Sequence, residues 1–175
     1  LYFEYPLDIE RVKRRLYKTA QSYNGLPHRV RLLIHQNGAE EIQAVPLSIG
    51  DPAFPVRVKM ASRPVQSSEV FLYHKTTNRW IYEDALHNSS DCEDVLLYNE
   101  RGELTESCIA NIVVEMEGDL FTPAIESGLL AGTFRAYLLE QGKIREKVLY
   151  LRDLGRCSKI YLVNSVRRWQ NAILV

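Results

Sequence analysis

Twice in the second half of this 175-residue chain, a short apolar run is followed by a glycine-bearing polar turn and an answering apolar run. Val95-Leu96-Leu97-Tyr98 precedes Glu100-Arg101-Gly102-Glu103 and a return that begins at Leu104. Ile112-Val113-Val114 precedes Glu117-Gly118-Asp119 and Leu120-Phe121. Apolar runs this short, closed by such turns, predict paired strands. A third hairpin is expected over residues 28–47, with strands at Val30–Ile34 and Ile42–Leu47 around an Asn37-Gly38 turn. Val56–Met60 reads as a further strand and Ile160–Val163 as a buried terminal one.

Helices fill the intervals. Asp8 reads as an N-cap, after which Ile9, Val12, Leu16 and Ala20 recur at helical spacing until Asn24-Gly25. Further helices are expected over about Asn78–His87 and over Gly132–Glu140, the second opening on glycine. Pro52, Pro55 and Pro64 punctuate the middle of the chain, and Ser62–Ser68 reads as a linker. The expected division is a small first part, residues 1–65, and a larger second part, residues 66–175.

Composition narrows the function. The chain is 46% hydrophobic and 25% charged, as in a globular protein. Lysine plus arginine balances aspartate plus glutamate at 22 each, which gives no support for a nucleic-acid partner. Arg11-Val12-Lys13-Arg14-Arg15 reads as a solvated helix face. Cys92, Cys108 and Cys157 are widely spaced, with neither zinc-ligand nor disulfide-framework spacing, and read as reduced cytoplasmic thiols. No apolar run approaches the roughly 20 residues that cross a bilayer, so no membrane partner is expected. HExxH, Gly-x-Ser-x-Gly and GxxxxGK[ST] are all absent.

The residues that carry chemistry form an ordered set. Lys75 follows the apolar Phe71-Leu72-Tyr73, which predicts a place at the end of a buried strand. Burial or nearby charge would let its amine spend time neutral and attack an aldehyde. Any single lysine is far more often an ordinary surface residue. Glu106 lies in the return strand of a hairpin, among Leu104, Ile109, Ile112 and Val113. Its apolar neighbours favour an inward or half-buried carboxylate, which needs a partner; an exposed hairpin glutamate is the plainer alternative. Gly128-Leu129-Leu130-Ala131-Gly132 leads into a helix whose first N–H groups suit an anion, with Thr133 adding a hydroxyl. Ser165 follows an apolar strand and can add another. Glycines before helices are often only caps. Together, though, a lysine, a carboxylate, a helix start and a late hydroxyl are the parts that hold pyridoxal 5'-phosphate (PLP).

The wording of these segments resembles the class IV aminotransferases, also called fold-type IV PLP enzymes. The carrying phrases are His74-Lys75-Thr76-Thr77-Asn78-Arg79, the run from Val95 to Ser107, and Asn111-Ile112. Phe121-Thr122-Pro123, Gly128 to Gly132 and Tyr161 to Arg167 continue them. The likeness is firm over about residues 70–170 and looser before. Within the family, the 4-amino-4-deoxychorismate lyase branch is the most similar, including versions fused behind para-aminobenzoate synthase component I.

The resemblance implies an α+β fold: a small α/β domain, incomplete here, and a larger barrel-like β domain with short helices. It implies Lys75 as the lysine that joins the cofactor and moves the substrate proton, and Glu106 as the partner of the pyridine nitrogen. Leu130 would pack near the ring, while the amides of Thr133 and Phe134 and the Ser165 hydroxyl would bind the phosphate. Arg31, on the first hairpin, is a candidate contact for a substrate carboxylate, with a solvent-facing strand arginine equally open. The implied reaction releases pyruvate and 4-aminobenzoate in folate synthesis, by a cytoplasmic homodimer. A branched-chain or D-amino acid aminotransferase is the alternative, and an inactive piece of such an enzyme the third reading. Ala131 stands where the family has proline, and Cys108 replaces a small polar residue. Members also carry an N-terminal stretch ahead of the position of Leu1, including a phosphate-gripping arginine. The resemblance therefore implies a truncated chain with weakened PLP affinity, in a longer protein that can include a fused synthase domain.

Overall fold

The structure, a computed structural model, describes residues 3–23, 25–48, 54–89 and 91–175. The chain forms two compact units, Leu1–Ile49 and Gly50–Val175.

In the first unit, Asp8 Oδ1 accepts from the Arg11 amide at 2.9 Å and starts helix α1, Ile9–Gln21. The helix closes at Ser22; Asn24 of the expected stop lies outside the described residues. Strands β1 (His28–Ile34) and β2 (Glu40–Pro46) pair antiparallel, with Arg31 opposite Gln43. The basic run on α1 does more than face solvent. Arg11 Nε and Arg15 Nη1 reach the two oxygens of Glu40 at 2.7 and 2.5 Å, and together they hold that carboxyl below its ordinary titration range.

The second unit is built on an eight-stranded sheet, with strands β3 (Val56–Met60), β4 (Asp94–Tyr98), β5 (Leu104–Ser107) and β6 (Asn111–Met116). It continues with β7 (Asp119–Pro123), β8 (Arg145–Lys147), β9 (Lys159–Asn164) and β10 (Arg168–Leu174). The order is β5-β4-β3-β10-β9-β6-β7-β8, and β5 also pairs with β6. That extra pairing joins β5, β4, β3, β10, β9 and β6 into a closed ring. The ring closes through the pair Glu106↔Asn111. Strand alternation sends successive side chains to opposite faces. Leu96, Ile112, Val114 and Leu162 fill one core with Val58 and Leu104. Val95 and Leu97 pack with Tyr82 and Ala85 of α2, Trp80–His87. Val113 and Val163 pack with Phe134 and Leu138 of α3, Thr133–Glu140.

Both late hairpins and the three helices appear close to the expected positions. Three expectations need correction. The boundary falls at residue 49 rather than 65, because β3 pairs parallel with both β10 and β4 and so belongs to the larger sheet. Residues 62–68 are no slack linker: Val65 is buried and donates to Tyr98 O at 2.8 Å, and Ser67 Oγ donates to Glu100 Oε1 at 2.7 Å. The strand at Ile160 is not terminal either. Strand β10 follows it and inserts between β9 and β3; its polar start, Arg168-Trp169-Gln170-Asn171, masks it in the sequence.

Candidate cofactor site

Glu106 stands on the last turn of strand before the chain reverses into β6, and that end is pinned on several sides. The Cys108 amide bonds Val95 O and Asp94 Oδ1, each at 3.1 Å, and Ser107 Oγ donates to Ala110 O at 3.0 Å. The Glu106 side chain is buried, with the residue 4% exposed. Oε1 accepts from the Tyr82 hydroxyl at 2.7 Å and from the Leu130 amide at 3.2 Å. Oε2 accepts from Asn111 Nδ2 at 3.3 Å, and the same nitrogen donates to Leu130 O at 2.8 Å. One asparagine thus ties the carboxylate, the ring closure and the Gly128–Gly132 segment together.

Among the described residues, every hydrogen-bond donor to Glu106 is neutral. Burial pushes its carboxyl up to about 7, while Tyr82, the Leu130 amide and the charges of Lys75 and Arg79 pull it down. Tyr82 is in turn raised well above its ordinary range by burial and by Glu106, so its hydroxyl stays protonated and donating. Arg79 frames this pair: its guanidinium lies 4.7 Å over the Tyr82 ring and donates to Cys108 O at 2.7 Å.

Lys75 departs from expectation in its setting. The segment before it is a 3-10 turn, Val70–Leu72, rather than a strand, and Lys75 is exposed in the irregular stretch leading to α2. The apolar Phe71-Leu72-Tyr73 seats the turn instead: Leu72 is fully buried in the core under α2. The ammonium is nevertheless near enough to bear on Glu106.

The Gly128–Gly132 segment is shaped by two glycines. Gly128 closes the 3-10 turn Ile125–Ser127 at φ +100, where a Cβ would also press on Ser67 Cα at 3.1 Å. At Gly132 a Cβ would lie 2.2 Å from Asn111 Oδ1, so only glycine lets the start of α3 come this close to the asparagine holding Glu106. Gly132 offers no side-chain cap, and the first N–H groups of α3 are left for another acceptor. Thr133, Phe134 and Ser165 line one concavity of about 400 Å³ with Tyr137 and Arg168.

The second unit therefore gathers two groups of expected residues. Lys75, Glu106 and Leu130 are linked by contact or charge, and Thr133, Phe134 and Ser165 share a concavity. Arg31 lies in the first unit, exposed on β1. Tyr82, Asn111 and Arg168 were not assigned roles from sequence. Asn111 had left a signal, a lone amide heading an apolar strand; Tyr82 blends into the apolar face of α2.

Comparison with known proteins gives the family. Residues 1–173 match the amino-transferase class IV family, and the chain belongs to that family, whose members are PLP enzymes. It is 34% identical to a provisionally named aminodeoxychorismate lyase of Schizosaccharomyces pombe, over 84% of this chain and 67% of that protein. A crystal structure of a provisionally named amino-acid aminotransferase from Mesorhizobium loti superposes with a TM-score of 0.91 at 30% identity, covering 98% of this chain and 84% of that one. A provisionally named aminotransferase from Mycobacterium tuberculosis, in a form bound to α-ketoglutarate and PMP, shares the fold at a TM-score of 0.82 and 19% identity, over 95% of this chain and 68% of its own. The chain is thus a fold-type IV enzyme with an α+β, barrel-like architecture. Among the described residues no helix is long and apolar enough to cross a membrane.

Proposed function

We propose that this chain binds PLP and acts as a 4-amino-4-deoxychorismate lyase, releasing pyruvate and 4-aminobenzoate. The observation that carries the cofactor reading is Glu106: a buried carboxylate with only neutral hydrogen-bond donors, pushed up to about 7. A protonated pyridine nitrogen would give such a group a charged hydrogen-bond partner. The donor set fits the rest of PLP as well: an amine at Lys75, apolar packing at Leu130, and amides and hydroxyls at Thr133, Phe134 and Ser165. When bound, PLP supplies an electron sink that stabilises a carbanion next to the substrate nitrogen.

The protein's residues do the remainder. Glu106, oriented by Tyr82 and Asn111, keeps the ring nitrogen protonated. Lys75 holds the cofactor, and its amine then takes the proton from the amino-bearing ring carbon of the substrate. The bond from the ring to the enolpyruvyl oxygen breaks, the side chain leaves as enolpyruvate and gains a proton to become pyruvate, and the six-membered ring becomes aromatic. Lys75 is the natural carrier of that returning proton. The lyase reading over others is supported by the Schizosaccharomyces pombe relative. The same reading carries a cytoplasmic homodimer serving folate synthesis, with Arg31 as a substrate-carboxylate contact.

A second reading keeps every residue role and changes the substrate. It is favoured by the likeness to the Mesorhizobium loti protein at 30% identity. There, Lys75 would move a proton within an amino acid, branched-chain or D, and the amino group would pass to a 2-oxo acid.

One experiment addresses both. The purified protein is mixed with PLP, its visible absorption recorded before and after borohydride, and the reduced adduct mapped by peptide mass. The expected result is a band lost on reduction and a label on Lys75, both absent in Lys75→Ala. A label elsewhere, or none, refutes the cofactor reading. Adding aminodeoxychorismate, or an amino acid with 2-oxoglutarate, then separates lyase from aminotransferase by product.

A further inference from the structure

The concavity at the start of α3 holds a charged residue that the PLP reading has not used. Thr133, Phe134 and Ser165 contribute amides and hydroxyls, all neutral, and Tyr137 an aromatic wall. Arg168 is the one cation in that lining. Its guanidinium lies 5.5 Å from the centre of the Phe134 ring, which lays it along the first turn of α3. Among the described residues, no carboxylate forms an ion pair with it, whereas Arg101, Arg135, Arg145 and Arg156 of the same unit are each paired with a glutamate or aspartate.

The backbone adds a further point. The turn from β9 to β10 is organised by Asn164, whose Oδ1 accepts from the amides of Val166 and Arg167 at 3.0 and 2.8 Å. It delivers residue 168 to the head of β10, opposite Asn164, with φ +59. That left-handed conformation is costly to a residue with a Cβ and nearly without cost to glycine. The position suits glycine locally, yet it carries the longest cationic side chain, directed to the concavity.

A phosphate monoester brings a charge of −1.5 to −2 near neutral pH. The helix start answers it with about half a positive charge, and hydroxyls add none. We propose that Arg168 is a phosphate ligand of the cofactor site and supplies the full positive charge that the amides and hydroxyls do not. A guanidinium matches a phosphate with paired N–H donors, whereas an ammonium meets it as a point charge. The inference rests on the PLP reading above and extends it to a residue of the β9–β10 turn.

The test compares PLP with pyridoxal, which has the same ring and aldehyde but no phosphate. Dissociation constants for both are read from the borohydride-sensitive band in the wild-type protein, Arg168→Gly and Arg168→Lys. Arg168→Gly is expected to weaken PLP about tenfold or more, the value of a lost charge-assisted contact, and to leave pyridoxal unchanged. Arg168→Lys should fall between. The thermal midpoint of cofactor-free Arg168→Gly should equal or exceed that of wild type, because glycine is at ease at this φ; lost binding then cannot be ascribed to unfolding. An unchanged PLP-to-pyridoxal ratio in Arg168→Gly overturns the proposal and leaves the Lys75 reading standing. Absence of the band in the wild-type protein removes both.

Discussion

Replacing Glu106 by glutamine should stabilise the PLP-free protein at alkaline pH while crippling its capacity for PLP. Burial pushes the Glu106 carboxyl up to about 7, from an ordinary value of 4.5. Between those two pH values the folded chain keeps a proton that the unfolded chain has released. Stability therefore falls as pH rises through the window, and the full penalty is present above about 7. At about 1.4 kcal/mol per pH unit, the window amounts to about 3 kcal/mol. Glutamine keeps an oxygen for the Tyr82 hydroxyl and the Leu130 amide, but it turns an N–H group toward Asn111 Nδ2, itself a donor. That conflict costs about 1 kcal/mol, leaving a net gain of about 2 kcal/mol at pH 8 and a small loss at pH 5. Urea denaturation of cofactor-free wild type and Glu106→Gln at both pH values measures the difference directly. A variant no more stable than wild type at pH 8, or a difference that does not change with pH, would refute the reasoning: Glu106 would then be adequately compensated without a cationic partner.

Two further substitutions probe the groups around that carboxylate. Tyr82→Phe removes the 2.7 Å donor to Oε1, a charge-assisted bond worth about 1.5–3 kcal/mol. Glu106 should then titrate higher still, and the stability deficit relative to wild type should widen from pH 5 to pH 8; a deficit constant across that range would show that the hydroxyl does not hold the ionised form. Gly132→Ala would place a methyl 2.2 Å from Asn111 Oδ1 and force the asparagine from its double role. A loss of about 2 kcal/mol or more, with PLP affinity falling alongside, is expected in denaturation and band titrations, and a fully PLP-competent Gly132→Ala would contradict it.

The sequence by itself determined the local elements and the chemical parts. Asp8 caps α1 as its position dictates, because capping needs only the three residues that follow. The hairpins at Gly102 and Gly118 are legible because turn chemistry and strand alternation are local properties. Lys75, Glu106, Leu130, Thr133, Phe134 and Ser165 were named from their order and wording, and the family they indicated is the one to which the chain belongs.

Tertiary structure decided what those parts touch. Lys75 is on an exposed irregular stretch because the apolar residues before it seat a 3-10 turn in the core, a choice that depends on what Leu72 packs against. Ser62–Ser68 looks like a linker by composition, yet it is bonded to residues more than thirty positions away. Strand β10 owes its place to its neighbours β3 and β9, since its own polar start has little strand character. The partners of Glu106 come from α2, β6 and the glycine segment, and they meet only because the ring of strands closes at Glu106 and Asn111. Periodicity and capping act over a few residues, and so can be read along a chain. The burial that lifts Glu106 and the concavity that gathers Arg168 with Phe134 are sums over distant segments, and these exist only once the strands have paired.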